Sequence, residues 1–150
     1  PEPVEPDKSN VDTSKKLHCT ISIDCATILN NLADLDPAKL DVLPTDGVIL
    51  NAVTVEFSEG ESVFDVLQRV CRENNIHIEA TFTPGYNSAY VEGIHNLYEF
   101  DCGELSGWMY SVNGWFPNYG CSRYALQDGD VIRWRYTCDL GADVGGSMVA

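Results

Sequence analysis

Ser62-Val63-Phe64-Asp65-Val66-Leu67-Gln68-Arg69-Val70-Cys71-Arg72-Glu73-Asn74 is the stretch on which the fold turns. Ser62 can cap a helix, and Asp65 stands three residues on, in the reciprocal position of a capping box. Val63, Val66, Leu67, Val70 and Cys71 then recur at helical spacing, so one face of a helix over 62–74 is apolar. Glu61, Asp65, Arg69, Arg72 and Glu73 make up the polar side. Such a stripe is stable only when it is buried against another element.

The segments on either side alternate with a period of two. In Leu17–Cys25, Leu17, Cys19, Ile21 and Ile23 share one face, which predicts a half-buried strand. Residues 26–43 read as short helical pieces, broken at Pro37 and ended before Pro44. Ala52–Phe57 alternates again through Val53, Val55 and Phe57. Beyond the helix, Ile76–Phe82 is expected to be a strand, Pro84–Asn87 a turn, and Ala89–Ile94 a returning strand. Gly107–Val112 leads into Asn113-Gly114, a strong two-residue turn signal. Val131–Thr137 closes the series, with Ile132, Trp134 and Tyr136 on one face and Val131, Arg133, Arg135 and Thr137 on the other. One main helix packed on a mostly antiparallel, mixed sheet, with a short helical insertion after the first strand, is an α+β domain of β-grasp type.

Composition bounds the function. The 150 residues are 44% hydrophobic, enough for a core, and carry a formal net charge of −14. That field repels phosphate backbones and argues against nucleic acid and anionic membranes as partners. No apolar run approaches the ~20 residues that span a bilayer, so direct membrane insertion is not expected. Residues 1–16 (PEPVEPDKSNVDTSKK) have the composition of a disordered linker or stalk, 17–140 that of the folded domain, and 141–150 that of a flexible tail. The chain is read as part of a longer precursor. Six cysteines with no C-x-x-C pair favour disulfides in an exported protein over zinc or redox motifs.

Catalytic signatures are sparse. His18, His77 and His95 stand apart, outside any metal-binding spacing, and are read as structural. Asp128, Asp130 and Asp139 lack the EF-hand pattern and are read as turn and surface residues. The glycines of 141–146 are not fed by a strand into a helix, which weakens a phosphate-loop reading. The informative region is 107–136, with Trp108, Tyr110, Trp115, Phe116, Tyr119, Tyr124, Trp134 and Tyr136. Tyr110 and Trp134 are read as core. Trp115 and Phe116, directly after the Asn-Gly turn and stiffened by Pro117, are expected to be exposed at a loop tip and to make a binding contact.

These residues also carry a family resemblance. The run Ser106-Gly107-Trp108-Met109-Tyr110-Ser111-Val112-Asn113-Gly114, then Pro117-Asn118-Tyr119-Gly120, then Asp128-Gly129-Asp130-Val131-Ile132-Arg133-Trp134-Arg135-Tyr136 resembles the C-terminal domain of transcobalamin and intrinsic factor, a module that recurs in exported bacterial proteins. The earlier stretch Val55-Glu56-Phe57 with Gly60–Leu67 resembles the first half of that family, so the likeness covers roughly 17–138. It implies a β-grasp fold and a soluble ligand-binding role; in the vitamin carriers this domain covers one face of cobalamin. The expected function is thus a non-enzymatic binding module of an extracellular or cell-surface protein. It would need no cofactor, and a cobalamin-like small molecule would be its ligand. Trp115, Phe116, Pro117, Asn118, Tyr119 and Tyr124 are the expected contacts. A protein-interaction or adhesion module, with a surface protein as partner, is the first alternative, and a hydrolase the second. In a β-grasp the first and last strands run parallel side by side, which suggests a Cys25–Cys138 bond. Cys71 on the helix could then reach Cys102, leaving Cys19 with Cys121.

Overall fold

A computed structural model describes residue 12 and residues 14–83 and 88–146. Most of the expected linker, the expected turn over 84–87 and the last four residues lie outside the described residues.

The described chain forms β1 (Lys16–Asp24), β2 (Val48–Ser58), helix α1 (Val63–Glu73), β3 (Ile78–Thr83), β4 (Ser88–Ile94), β5 (Leu97–Tyr98), β6 (Gly107–Val112) and β7 (Val131–Thr137). The main sheet has the order β2-β1-β7-β6. Its two central strands, β1 and β7, run parallel, with Ile21 opposite Ile132 and Ile23 opposite Trp134. The outer pairings are antiparallel. This is the mixed sheet of the expected α+β fold, with the first and last strands as neighbours.

Helix α1 forms for the reasons its sequence gives. Ser62 Oγ accepts from the Asp65 N–H, and the Asp65 carboxylate accepts from the Ser62 N–H. Val63, Val66, Leu67, Val70 and Cys71 are buried in one core with Cys19, Ile21, Ile23, Phe57, Ile132, Trp134 and Tyr136. Arg69 fastens the helix to β2, donating to the Glu56 carbonyl at 3.1 Å.

Three features refine or depart from expectation. The short helical pieces expected over 26–43 are all 3₁₀ turns, at Ala26–Asn30, Leu32–Asp34 and Pro37–Val42. Pro37 opens the third turn instead of breaking a helix, because a fixed φ suits a first helical position and Asp36 caps it. Second, β3, β4 and β5 form a sheet of their own. β4 lies beside β6 without pairing to it, because its groups at Ala89 are already engaged: the N–H donates to Ser122 Oγ at 2.8 Å, and the carbonyl faces Cys121 Sγ at 3.9 Å. Third, residues 141–146, expected in the tail, fold back as a 3₁₀ turn at Ala142–Val144 with Val144 buried. The Asp143 carboxylate accepts from Thr137 Oγ1 and from the Cys138 N–H, which fixes this return.

Candidate functional site

The separation of the two sheets leaves a cavity between β4, the β6 edge and the segment 116–121, with a volume of about 620 Å³. Its aromatic lining comes from Tyr90, Trp108, Tyr110, Phe116, Tyr119 and Trp134. Thr83, Ser88, Ala89 and Val91 contribute from the small sheet, and Met109, Pro117, Asn118, Gly120 and Cys121 complete the wall.

Local sequence explains how the wall is built. Asn113 and Gly114 both take positive φ, 54° and 82°, as a tight two-residue reversal requires. Val112 and Trp115 exchange backbone hydrogen bonds of 2.8 and 3.0 Å across it. The expected hairpin goes no further. Pro117 has no N–H for a ladder, and the paired edge of β6 belongs to β7. The chain instead crosses to β4. At Gly120 the two segments touch so closely that a Cβ would lie 2.1 Å from Ser88 Oγ and 2.9 Å from the Ala89 carbonyl oxygen.

The polar tips of Trp108 and Tyr110 are bonded within the protein, whereas Trp134 Nε1 is buried without a hydrogen-bond partner among the described residues. Trp108 Nε1 donates to the Leu97 carbonyl at 2.8 Å, and the Tyr110 hydroxyl donates to the Tyr119 carbonyl at 2.8 Å. The rings of Tyr110 and Trp134 lie 5.3 Å apart at 32°, and Trp108 meets Tyr136 edge-on. Burial pushes the Tyr110 hydroxyl well above its ordinary range, so it stays neutral. Tyr90 is likewise raised by burial and by its hydrogen bond to Glu99. The guanidinium of Arg123 sits over the Tyr119 ring at 5.8 Å. The cavity thus presents uncharged ring surface, with Asn118 exposed beside it. Such a surface suits a flat apolar face, and the described residues that line it form no nucleophile–base pair.

Of the six expected contact residues, the structure brings four to this cavity: Phe116, Pro117, Asn118 and Tyr119. Trp115 is exposed, at 38%, but is not part of the lining, and Phe116 is half-buried instead of fully displayed. Tyr124 is buried apart from the lining, and burial together with its hydrogen bond to Asp130 raises its hydroxyl to about 12. Sequence reasoning missed Tyr90 and Trp108, and placed Tyr110 and Trp134 in the core without seeing that they also form a cavity wall. The available signal was Trp108 and Tyr110 alternating on one face of the strand that leads into the turn.

Polar residues singled out in the sequence hold loops and strands together. His77 Nε2 and the Tyr98 hydroxyl are 2.9 Å apart, and His95 Nε2 bonds to the Val42 carbonyl. Asp128 accepts from the His18 N–H, and Asp130 holds Asn113 Nδ2 and the Gln127 N–H. Among the described residues, no group of three or more His, Cys, Asp or Glu could hold a metal ion, and no helix is long and apolar enough to cross a membrane. All six cysteines are free thiols, so the Cys25–Cys138, Cys71–Cys102 and Cys19–Cys121 bonds are not formed in this structure.

The family model described as Domain of unknown function (DUF4430) matches residues 60–138, more than half of the chain and a span that holds all the described residues of the cavity wall. No curated protein matches the sequence. Among solved structures, haptocorrin in complex with Cbi is similar over 87% of this chain, with a TM-score of 0.57 and 14% identity. The chain spans only 27% of the length of that haptocorrin, and at this identity the likeness is one of fold. A protein from Ruminococcus gnavus ATCC 29149 with a proposed metal-binding role is similar over 81% of this chain and 96% of its own, with a TM-score of 0.47 and 14% identity.

Proposed function

The chain belongs to the family described as Domain of unknown function (DUF4430), and from the cavity its matched region builds we propose that it is a non-enzymatic binding module for a flat, amphipathic small molecule. The observation that carries this is the aromatic cavity itself. Its volume of about 620 Å³ falls in the range of roughly 300–1,000 Å³ typical of small-molecule sites. The polar atoms of Trp108 and Tyr110 are satisfied within the protein, so ring faces are most of what the cavity offers a ligand, beside the unpartnered Trp134 Nε1. A cobalamin-like compound is the first ligand to try. The fold likeness to haptocorrin, whose solved complex holds Cbi, supports that choice by analogy. In this reading the module acts in an exported or cell-surface protein. The test is to mix the protein with cobalamin, remove free ligand by desalting, and read the absorbance of the protein fraction. Retained colour is the expected result; a colourless fraction contradicts the corrinoid assignment.

A second reading, a protein-interaction or adhesion module, is favoured by a separate apolar patch. Phe100 is 62% exposed, and Leu105 and Leu140, joined by a backbone hydrogen bond of 3.0 Å, are 42% and 41% exposed. Neighbouring exposed apolar side chains suit a contact with another protein. Under this reading Phe100→Ala removes partner binding, while substitutions in the cavity leave it intact.

A further inference from the structure

Three separate parts of the chain meet behind the end of β7. The 3₁₀ turn at Ala26–Asn30 brings Thr27, whose hydroxyl donates to the Tyr136 carbonyl at 2.6 Å, and Asn31 follows it, its side chain donating to the Thr27 carbonyl at 2.9 Å. The loop after β5 brings Cys102, whose N–H donates to Ser106 Oγ at 3.1 Å. That loop is itself pinned to β7, since the Tyr136 hydroxyl bonds to both the Tyr98 carbonyl and Ser106 Oγ. Cys138, the first residue past β7, is the third part.

The two sulfurs hang on the same turn. Cys102 Sγ lies 3.4 Å from the Asn31 carbonyl oxygen, and Cys138 Sγ lies 3.6 Å from Thr27 Oγ1. Each thiol also perturbs the other electrostatically, as near neighbours do. Cys25 also feels Cys138, but as the weakest of the influences on its thiol. Burial alone raises the Cys71 thiol, and Cys121 is held against Ala89.

We propose that Cys102 and Cys138 are an oxidation site, the two thiols closing to an intramolecular disulfide by exchange with a small-molecule disulfide of the glutathione type. Cys138 is the less buried of the two and is the point of entry. Its thiolate attacks one sulfur of the oxidant, forming a mixed disulfide and releasing one small thiolate. The Cys102 thiolate then attacks the Cys138 sulfur and releases the second. The two protein protons end on the two released thiols, the protein sulfurs are oxidised by two electrons, and the small disulfide is reduced by the same two. The bond closes the segment that carries β6, the 116–121 wall and β7, which is nearly the whole lining contributed by the main sheet. Constraining that segment in the unfolded chain favours the folded cavity. This pairing replaces Cys25–Cys138 and Cys71–Cys102.

The experiment incubates the full chain with oxidised glutathione, blocks remaining thiols under denaturing conditions, and maps peptides by mass spectrometry without reduction. The expected product lacks two hydrogens, links the Cys102 and Cys138 peptides, and carries blocking groups on Cys19, Cys25, Cys71 and Cys121. Cys102→Ser is expected to stop at the glutathione adduct on Cys138, whereas Cys25→Ser still forms the bond. The oxidised chain is expected to melt several degrees above the reduced one. A Cys25–Cys138 peptide, or six blocked thiols after oxidation of the wild-type chain, overturns the proposal.

Discussion

Phe116 and Trp115 are adjacent, yet the structure separates their roles: Phe116 lines the cavity and Trp115 stands beside it in solvent. Phe116→Ala is therefore expected to weaken binding of a cavity ligand at least tenfold, or ~1.4 kcal/mol, in a titration followed by tryptophan fluorescence. Trp115→Ala should leave that affinity unchanged and shift stability by about 0.5 kcal/mol or less, as exposed positions do. Gly120 is the residue on which the wall depends. Alanine there brings a Cβ within 2.9 Å of the Ala89 carbonyl, a backbone atom with no freedom to rotate away. Gly120→Ala is expected to cost about 1–3 kcal/mol in urea unfolding, as overpacking does. At this scale the sequence announced the aromatic tip through Asn113-Gly114 and Pro117. It could not say which ring would turn inward, because that depends on Ser88 and Ala89 arriving from β4, some thirty positions earlier.

Helix α1 was fully legible because everything that makes it is local. The cap, its reciprocal carboxylate and the five buried positions lie within thirteen consecutive residues. Removing the cap with Ser62→Ala is expected to cost about 0.5–2 kcal/mol. Leu67→Ala, at a fully buried position under the sheet, is expected to cost about 2–5 kcal/mol; both are read from denaturant midpoints at constant slope. The strands were legible as strands, and the β-grasp reading set the first beside the last, but the split into two sheets was not legible. Alternation identifies the faces of β4 and β6, while the choice between one sheet and two was made by Ser122 and Cys121, which occupy the Ala89 edge. The helical insertion was legible as short pieces, but the role of Pro37 was not, because it carries the same local signal for breaking a helix as for opening one. Here Asp36 decided the matter by capping the turn.

The molecule as a whole holds many protons in its core. Burial raises the thiol of Cys19 from 9.0 to about 11 and those of Cys25, Cys71 and Cys121 to about 12, and it pushes the hydroxyls of Tyr110 and Tyr136 up as well. The folded state keeps protons that the unfolded chain releases, so their contribution to stability is complete below about pH 9 and is lost as pH rises from there toward 12. Thermal scans of the reduced protein should show a falling midpoint across that window. The acidic surface, with a net charge of −14, adds self-repulsion and leaves the uncharged aromatic cavity as the site best suited to a neutral amphipathic ligand. The most direct test of that claim is a fluorescence titration with cobalamin, read from Trp108 and Trp134 in the cavity wall and repeated in Phe116→Ala. Saturable quenching in the wild-type protein, weakened at least about tenfold in the variant, is the predicted result; quenching that does not saturate, or that saturates identically in both proteins, contradicts the account.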